Sequence, residues 1–233
     1  MKILVVLGHP EVYNSLSQQF LLQAGRSLTS VDYLDLQAEY DRAGAFDIAK
    51  EQARLLAHDR IILQFPLYWY TAPAIMKAWQ DTVWPVKEEK TAFYRGMQGK
   101  EFGIVVIAGV KEAAFRVGDR EGRSLSELLS PYDSFARYFG MKYLPPLAIH
   151  QFHLLPEKSK MSLLYEYTNY LENGHSLNRT QFYEYILAHL KELDDGKLPL
   201  DIVQKQLFHY FVEDFEEQGE DLADLFRMMR GWG

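Results

Sequence analysis

The chain has no cysteine among its 233 residues, which excludes disulfides, thiolate nucleophiles and cysteine-ligated metals and fits a reducing compartment. No apolar run reaches the roughly 18 residues that a membrane-spanning helix needs. The opening MKILVVLGHP is too short and too weakly basic to read as a signal peptide, so the expected location is cytoplasmic. Gly-Lys-Ser/Thr is absent, which excludes a P-loop, and so is the Gly-x-Gly-x-x-Gly dinucleotide fingerprint. His58, His150, His153, His175, His189 and His209 are scattered without metal-ligand spacing such as His-Glu-x-x-His, and no metal is expected. No Gly-x-Ser-x-Gly elbow surrounds a serine, which leaves nucleophilic serine chemistry unsupported. Positive charge is also short. The net charge is −7, and residues 176 to 233 hold 12 acidic against 6 basic side chains, a balance of −6 that leaves −1 for the rest. A polyanion is not drawn to such a tail, so nucleic acid is not an expected partner.

What is present is 48% hydrophobic residues, enough for a full core in one domain with an appendage. The most telling stretch is RIILQFPLYWYTAPAIMKAWQDTVW, Arg60 to Trp84. Its apolar run Ile61, Ile62, Leu63 and Phe65 predicts a central parallel strand, ended by Pro66, which has no backbone donor. Leu67, Tyr68, Trp69 and Tyr70 follow. Then come Thr71 as an N-cap and Pro73 at the first turn of a helix whose inner face carries Ile75, Met76, Trp79 and Val83. A core needs that helix but not the four large loop residues. Trp69 and Tyr70 also suit a subunit contact.

A second loop of the same type opens the chain. Lys2 to Leu7 predicts a buried strand, and GHPEVYNSLSQQF carries Gly8, His9, Ser15 and Ser17 into an amphipathic helix capped by Asn14 or Ser15. Free N–H groups at a helix start, the helix dipole, two hydroxyls and an imidazole suit a terminal phosphate. A phosphate site without ATP or Rossmann motifs points towards flavin.

Further strands are predicted at Val31–Leu36, Glu101–Ala108 and Tyr143–His150, with helices at Asp47–Ala57, Pro73–Trp84 and Ser124–Gly140. Five strands with crossover helices predict an α/β, doubly wound five-stranded parallel sheet, with its ligand at the carboxyl ends of strands one, three and four. After about Pro156 the pattern is helical, over Glu157–Glu172, Arg179–Leu193 and Asp201–Met229 with a break near Gln218. The expected division is 1–155 for the ligand-binding domain and 156–233 for a helical C-terminal extension. In the extension Phe208, Phe211, Val212, Phe215, Leu222, Leu225, Phe226 and Met229 need burial on the domain or on a second subunit.

Three segments resemble the flavodoxin-like NAD(P)H:quinone oxidoreductases, a group that includes DT-diaphorase and the flavoprotein ancillary subunits of glutathione-gated potassium efflux systems. They are GHPEVYNSLSQ, QFPLYWYTAPAIMKAWQDTVW and SELLSPYDSFARYFGMKYLPP, in the family's order over residues 1 to about 155. The resemblance implies a flavodoxin-like fold. It places His9, Ser15, Leu16, Ser17 and Gln18 around the flavin phosphate, and Pro66, Leu67, Tyr68, Trp69 and Tyr70 along the flavin ring. Ile107, Ala108, Gly109 and Val110 fall at the pyrimidine end, where the family has Thr-Thr-Gly-Gly. There Val110 replaces a glycine, so a backbone needing φ > 0 at that position would be strained. Phe115 stands where DT-diaphorase-like members have a tyrosine, and no histidine occurs between Phe115 and Ser134, so that family's Tyr/His pair is missing.

A compact phosphate loop with no identifiable adenine site favours FMN, with FAD, which related enzymes use, as the alternative; the resemblance implies NAD(P)H as hydride donor, NADH or NADPH left open. It implies two-electron ping-pong reduction of quinones or similar flat electrophiles by a homodimer. The chemistry is the flavin's, with no catalytic side chain required, and Tyr68, Trp69, Tyr70 and Phe115 form the substrate walls. Two other readings stand beside it: an ancillary subunit docked on a membrane transporter, and a catalytically silent flavin-binding module.

Overall fold

The computed structural model describes residues 1–85, 91–176, 179–194 and 201–230. The chain forms two compact units, Met1–His175 and Ser176–Gly233. In the first unit the strands are β1 (Ile3–Leu7), β2 (Val31–Asp35), β3 (Arg60–Pro66), β4 (Glu101–Ala108), β5 (Lys142–Tyr143) and β6 (Leu147–His150). All pairings are parallel in the order β2-β1-β3-β4-β5, with β6 also on β4. This is the expected doubly wound, flavodoxin-like sheet.

Side chains alternate across it, as the two-residue strand period requires. Leu4 and Val6 point into a core shared with Leu36 of α2 (Leu36–Ala43), Leu55 of α3 (Ile48–Leu56), Met76 of α4 (Ala74–Val83), Phe93 of α5 (Ala92–Met97) and Leu129 of α6 (Leu125–Tyr138). Ile3, Val5 and Leu7 point the other way, onto Leu21 of α1 (Leu16–Gly25) and Leu163, Tyr167 and Leu171 of α7 (Glu157–Asn173). Full burial of a side chain of this size stabilises by about 1.5–3 kcal/mol. The first helix of the expected extension therefore covers the open face of the sheet. The compact unit runs to His175 and not to residue 155.

Polar bonds hold α7 there. Arg60, itself buried, reaches the Leu171 carbonyl and pairs with Glu101, its Nε donating at 2.7 Å. At the C-cap, Gly174 has φ +76, and a Cβ there would meet the Arg60 guanidinium at 3.1 Å.

The expected fifth strand, Tyr143–His150, is broken in two. Phe102 faces Tyr143 and Val105 faces Leu147, so the outer strand carries one more residue than β4 across the gap, a bulge. Pro145 and Pro146 sit in that gap and have no N–H for the ladder. The Ile104 amide donates instead to the hydroxyl of Tyr170 on α7, at 3.2 Å. Gly103 leaves room for that ring, since a Cβ there would come within 2.7 Å of the hydroxyl.

In the second unit, α8 (Arg179–Asp194) and α9 (Ile202–Arg230) pair through the stacked rings of Tyr183 and Phe215, 4.2 Å apart, and a Lys191–Glu216 ion pair at 2.5 Å. α9 is continuous through Gln218, where a break was expected: Gln218 and Gly219 alone do not outweigh the hydrogen bonds of a helix this long. Of its apolar residues Val212 is buried and Phe211 is 52% exposed, while the side chains of Leu222, Leu225, Phe226 and Met229 lie outside the described residues. No helix among the described residues is long and apolar enough to cross a membrane.

Tyr170→Phe should strand the Ile104 amide in the core and destabilise the first unit by about 1–3 kcal/mol. The urea midpoint of its unfolding should fall with an unchanged slope, and an unchanged midpoint would show that the amide has another partner.

Candidate functional site

The loops after β1, β3 and β4 leave the sheet side by side because their parent strands are adjacent and parallel. Two amides extend the ladders past the strand ends. Gly8 N–H donates to the Gln64 carbonyl at 2.9 Å, and Leu67 N–H donates to the Ile107 carbonyl at 2.8 Å. A Cβ at Gly8 would crowd Met76 of α4, meeting its terminal methyl at 2.7 Å and its Cβ at 3.0 Å, so glycine brings the loop closest to that helix.

In the first loop the Glu11 amide donates to His9 Nδ1 at 2.9 Å, which leaves the proton of the neutral ring on Nε2, a donor. Burial lowers the His9 pKa, opposed by the Asp35 and Glu11 carboxylates. Ser15 is the N-cap of α1, its Oγ accepting from the Gln18 amide at 3.4 Å and lying 3.3 Å from Ser17 Oγ. Leu16 is exposed, Ser17 is buried, and Gln18 is wholly buried with its Nε2 unpartnered. Of the two expected caps, Ser15 serves and Asn14 bonds Glu11 instead.

In the second loop, Tyr68 and Thr71 exchange backbone hydrogen bonds of 2.9 and 3.1 Å around a tight turn. Trp69 and Tyr70, its central residues, have φ of +48° and +67°. That is the type I′ arrangement, which elsewhere calls for asparagine and glycine. Each such residue costs about 1–3 kcal/mol, which the surrounding structure has to offset. Because Thr71 closes this turn it is not the helix cap expected of it; Pro73 occupies that place without a side-chain bond. Trp69 is 91% exposed, and Tyr68 and Tyr70 are about half exposed. The His9 and Tyr68 rings, 6.4 Å apart, join the first loop to the second.

In the third loop Ile107 and Ala108 end β4. Ala108 O accepts from Gln151 N at 2.8 Å, and the Val110 carbonyl lies 3.1 Å from His150 Nδ1. Val110 has no positive φ, so the strain that its replacement of a glycine would imply is absent. A Cβ at Gly109 would meet nothing within 4 Å. Among the described residues the amides of Trp69, Tyr70, Gly109 and Val110 donate to no backbone carbonyl.

A cleft of about 210 Å³ is lined by Leu67, Trp69, Tyr70, Ala108, Gly109, Val110, Phe115, Arg120 and Glu121. Seven of these nine stand among the residues singled out from sequence. Phe115 is buried and packs on His150 with ring centres 5.7 Å apart, which makes it floor more than wall. Arg120 and Glu121 were not foreseen. They pair at 3.2 Å, and Glu121 bonds the Tyr70 hydroxyl and raises its pKa. Only the charged, glycine-bearing run KEAAFRVGDREGR hinted at them.

Two outcomes test this geometry. The His9 imidazole should titrate below the usual value of about 6.5 in the ligand-free protein. The folded state then favours the neutral ring, so its contribution to stability is present above 6.5 and is lost as pH falls through the lowered pKa. Histidine NMR titration checks this, with His9→Asn assigning the resonance; titration at or above 6.5 would contradict it. Trp69→Gly should relieve the left-handed strain and raise stability by up to about 1 kcal/mol, a small rise in Tm, since an exposed ring gives up little packing. A fall in Tm would mean that the indole is held by contacts its exposure does not reveal.

A family model described as flavodoxin-like fold matches residues 1–194. A solved NADPH-quinone reductase from P. pentosaceus is 40% identical, covering 74% of this chain and 99% of its own, with a TM-score of 0.68. General stress protein 14 of Treponema denticola, solved in complex with FMN, is 27% identical over 74% of this chain and 98% of its own, with a TM-score of 0.66. The glutathione-regulated potassium-efflux system ancillary protein KefG of Cronobacter sakazakii is 34% identical over 149 residues, 64% of this chain and 80% of that protein. With the parallel sheet, the three loops that leave its adjacent strands and a family match over most of its length, the chain belongs to the flavodoxin-like family.

Proposed function

We propose that this chain is an FMN-dependent NAD(P)H oxidoreductase that reduces quinones or similar flat electrophiles in two-electron, ping-pong turnover. The observation that carries the reading is the cleft at the strand ends, flanked by aromatic residues and by backbone amides with no carbonyl partner, next to a serine-capped helix start. Flat, amide-edged clefts at this place in an open α/β sheet suit planar heterocycles.

The residues fit FMN. His9 Nε2–H, the Ser15 and Ser17 hydroxyls and the first amides of α1 are neutral donors for a phosphate, and the unpartnered Gln18 Nε2 adds one more. No adenine pocket was recognised in the sequence, which favours FMN over FAD, and the FMN complex of the Treponema relative is in line with that choice. When bound, the flavin supplies the redox chemistry, accepting hydride from NAD(P)H and passing two electrons to the acceptor. The chain's own part is positioning. Tyr68, Trp69 and Tyr70 would hold a planar substrate, Gly109 and Val110 would offer amides to developing negative charge, and Phe115 would close the floor.

Similarity to KefG favours a second reading, an ancillary subunit of a membrane transporter. Salt-sensitive recruitment to membranes that hold the transporter would support it, and its absence would remove it. The exposed Trp69 also suits a homodimer contact, to be abandoned if sedimentation gives a monomer.

Purified protein should be yellow, release FMN on denaturation, and bleach anaerobically with NADPH or NADH. Gly109→Leu, whose side chain has room to enter the cleft without disturbing the core, should stay folded and lose FMN affinity at least about tenfold. Colourless protein that does not take up FMN would end this reading.

A further inference from the structure

Four polar side chains form a line through the hydrophobic layer between the sheet and the α1/α7 face. Tyr33 Oη of β2 lies 3.3 Å from Tyr167 Oη of α7. Tyr167 Oη donates to Gln64 Oε1 of β3 at 2.7 Å, and Gln64 Nε2 donates to Gln18 Oε1 of α1, also at 2.7 Å. Gln18 Nε2, the last atom of the line, is buried and has no partner. Tyr167, Gln64 and Gln18 are each 0% exposed. Leucine would fill any of these places at lower desolvation cost, so the line calls for a reason beyond packing.

Hydrogen-bond direction supplies one. An amide turns over as a unit: when its oxygen accepts on one side, its NH2 donates on the other. With Tyr167 donating to Gln64 Oε1, Gln64 must donate to Gln18 Oε1, and Gln18 is left presenting NH2. With the line reversed, Gln18 would present a carbonyl, which repels an anion. Burial drives the Tyr167 pKa well up, so its phenol stays protonated, and with Tyr33, 3.3 Å away, donating to it, the Tyr167 proton goes to Gln64. Gln18 stands one turn inside α1, beside Ser15 and Ser17, where a helix start favours negative charge.

We propose that Tyr167 and Gln64 are positioning residues that lock Gln18 as a hydrogen-bond donor to the phosphate monoester of the bound cofactor. The proposal rests on the FMN reading above and adds what selects the phosphorylated flavin over its phosphate-free form. Neither residue touches the cofactor. Both act through the Gln18 amide, Gln64 from 46 residues away in sequence and Tyr167 from a further 103.

The test compares Kd for FMN and for riboflavin, by quenching of flavin fluorescence, in the wild type, Tyr167→Phe and Gln64→Met, each shown folded by its thermal melt. Wild type should prefer FMN. Both variants should lose about tenfold of that preference while their riboflavin Kd stays put, because a buried bond to a charged oxygen is lost and nothing at the ring changes. A merely structural role would weaken both flavins together, and that result overturns the proposal. So does an unchanged FMN-to-riboflavin ratio in either folded variant. Gln64→Met keeps the test decisive should Tyr167→Phe fail to fold. Wild-type protein that binds neither flavin overturns the FMN reading and this role with it, whereas FMN binding with an unaltered ratio overturns this role alone.

Discussion

β1, β3 and β4 are covered on both faces, and the rest of the first unit follows from that. A strand buried on two sides cannot slip, since a one-residue shift would exchange the side chains meant for one core with those meant for the other. Their registers, Leu7 opposite Gln64 and Pro66 opposite Ile107, are therefore set by packing. The three loops inherit that alignment and emerge together. The first two begin with a backbone bond to the neighbouring strand and the third follows the Ala108 carbonyl, which accepts from Gln151, so the site is anchored to the stiffest part of the molecule.

Against that rigid edge, the Tyr68–Thr71 turn is held in a conformation its residues do not favour. Its rings gain little from burial, as the exposure of Trp69 makes plain. The cost is offset by the neighbours on either side: Phe65 in the core before it, and Met76 and Trp79 of α4, fully buried, after it. A surface turn under no functional demand would relax to asparagine or glycine. Strain at a turn that borders the cleft marks the place where geometry has been favoured over local preference.

The strands and their three loops were legible because their signals are local. An apolar run ending on Pro66, a serine before an amphipathic helix and a helix ending at Gly140, whose φ is +65°, can each be read from neighbouring residues. α2 was missed although its Asp35 cap and Gly44 stop are plain in the sequence, for the preceding strand claimed Leu36. α5 is only six residues long, too short for a helical period to stand out. Thr71 looked like a cap because nothing local shows that Tyr68 takes its backbone. The assignment of α7 to the sheet rests on Arg60, Gln64 and Ile104, and Glu121 meets Tyr70 only once the chain has folded. Such contacts between distant segments leave no periodic trace.

The fit of α1 over β2 turns on one missing methyl group. A Cβ at Gly25 would lie 1.8 Å from the Tyr33 hydroxyl and 3.0 Å from the ring carbon that bears it. Glycine at one site and tyrosine at the other are thus a single choice. Phenylalanine at position 33 would leave an alanine at position 25 only tight, whereas tyrosine would leave it no space at all. While the Tyr33 ring keeps its present place, the small residue can be lost only after the hydroxyl. Any lineage that takes that path also cuts the outer end of the buried polar line.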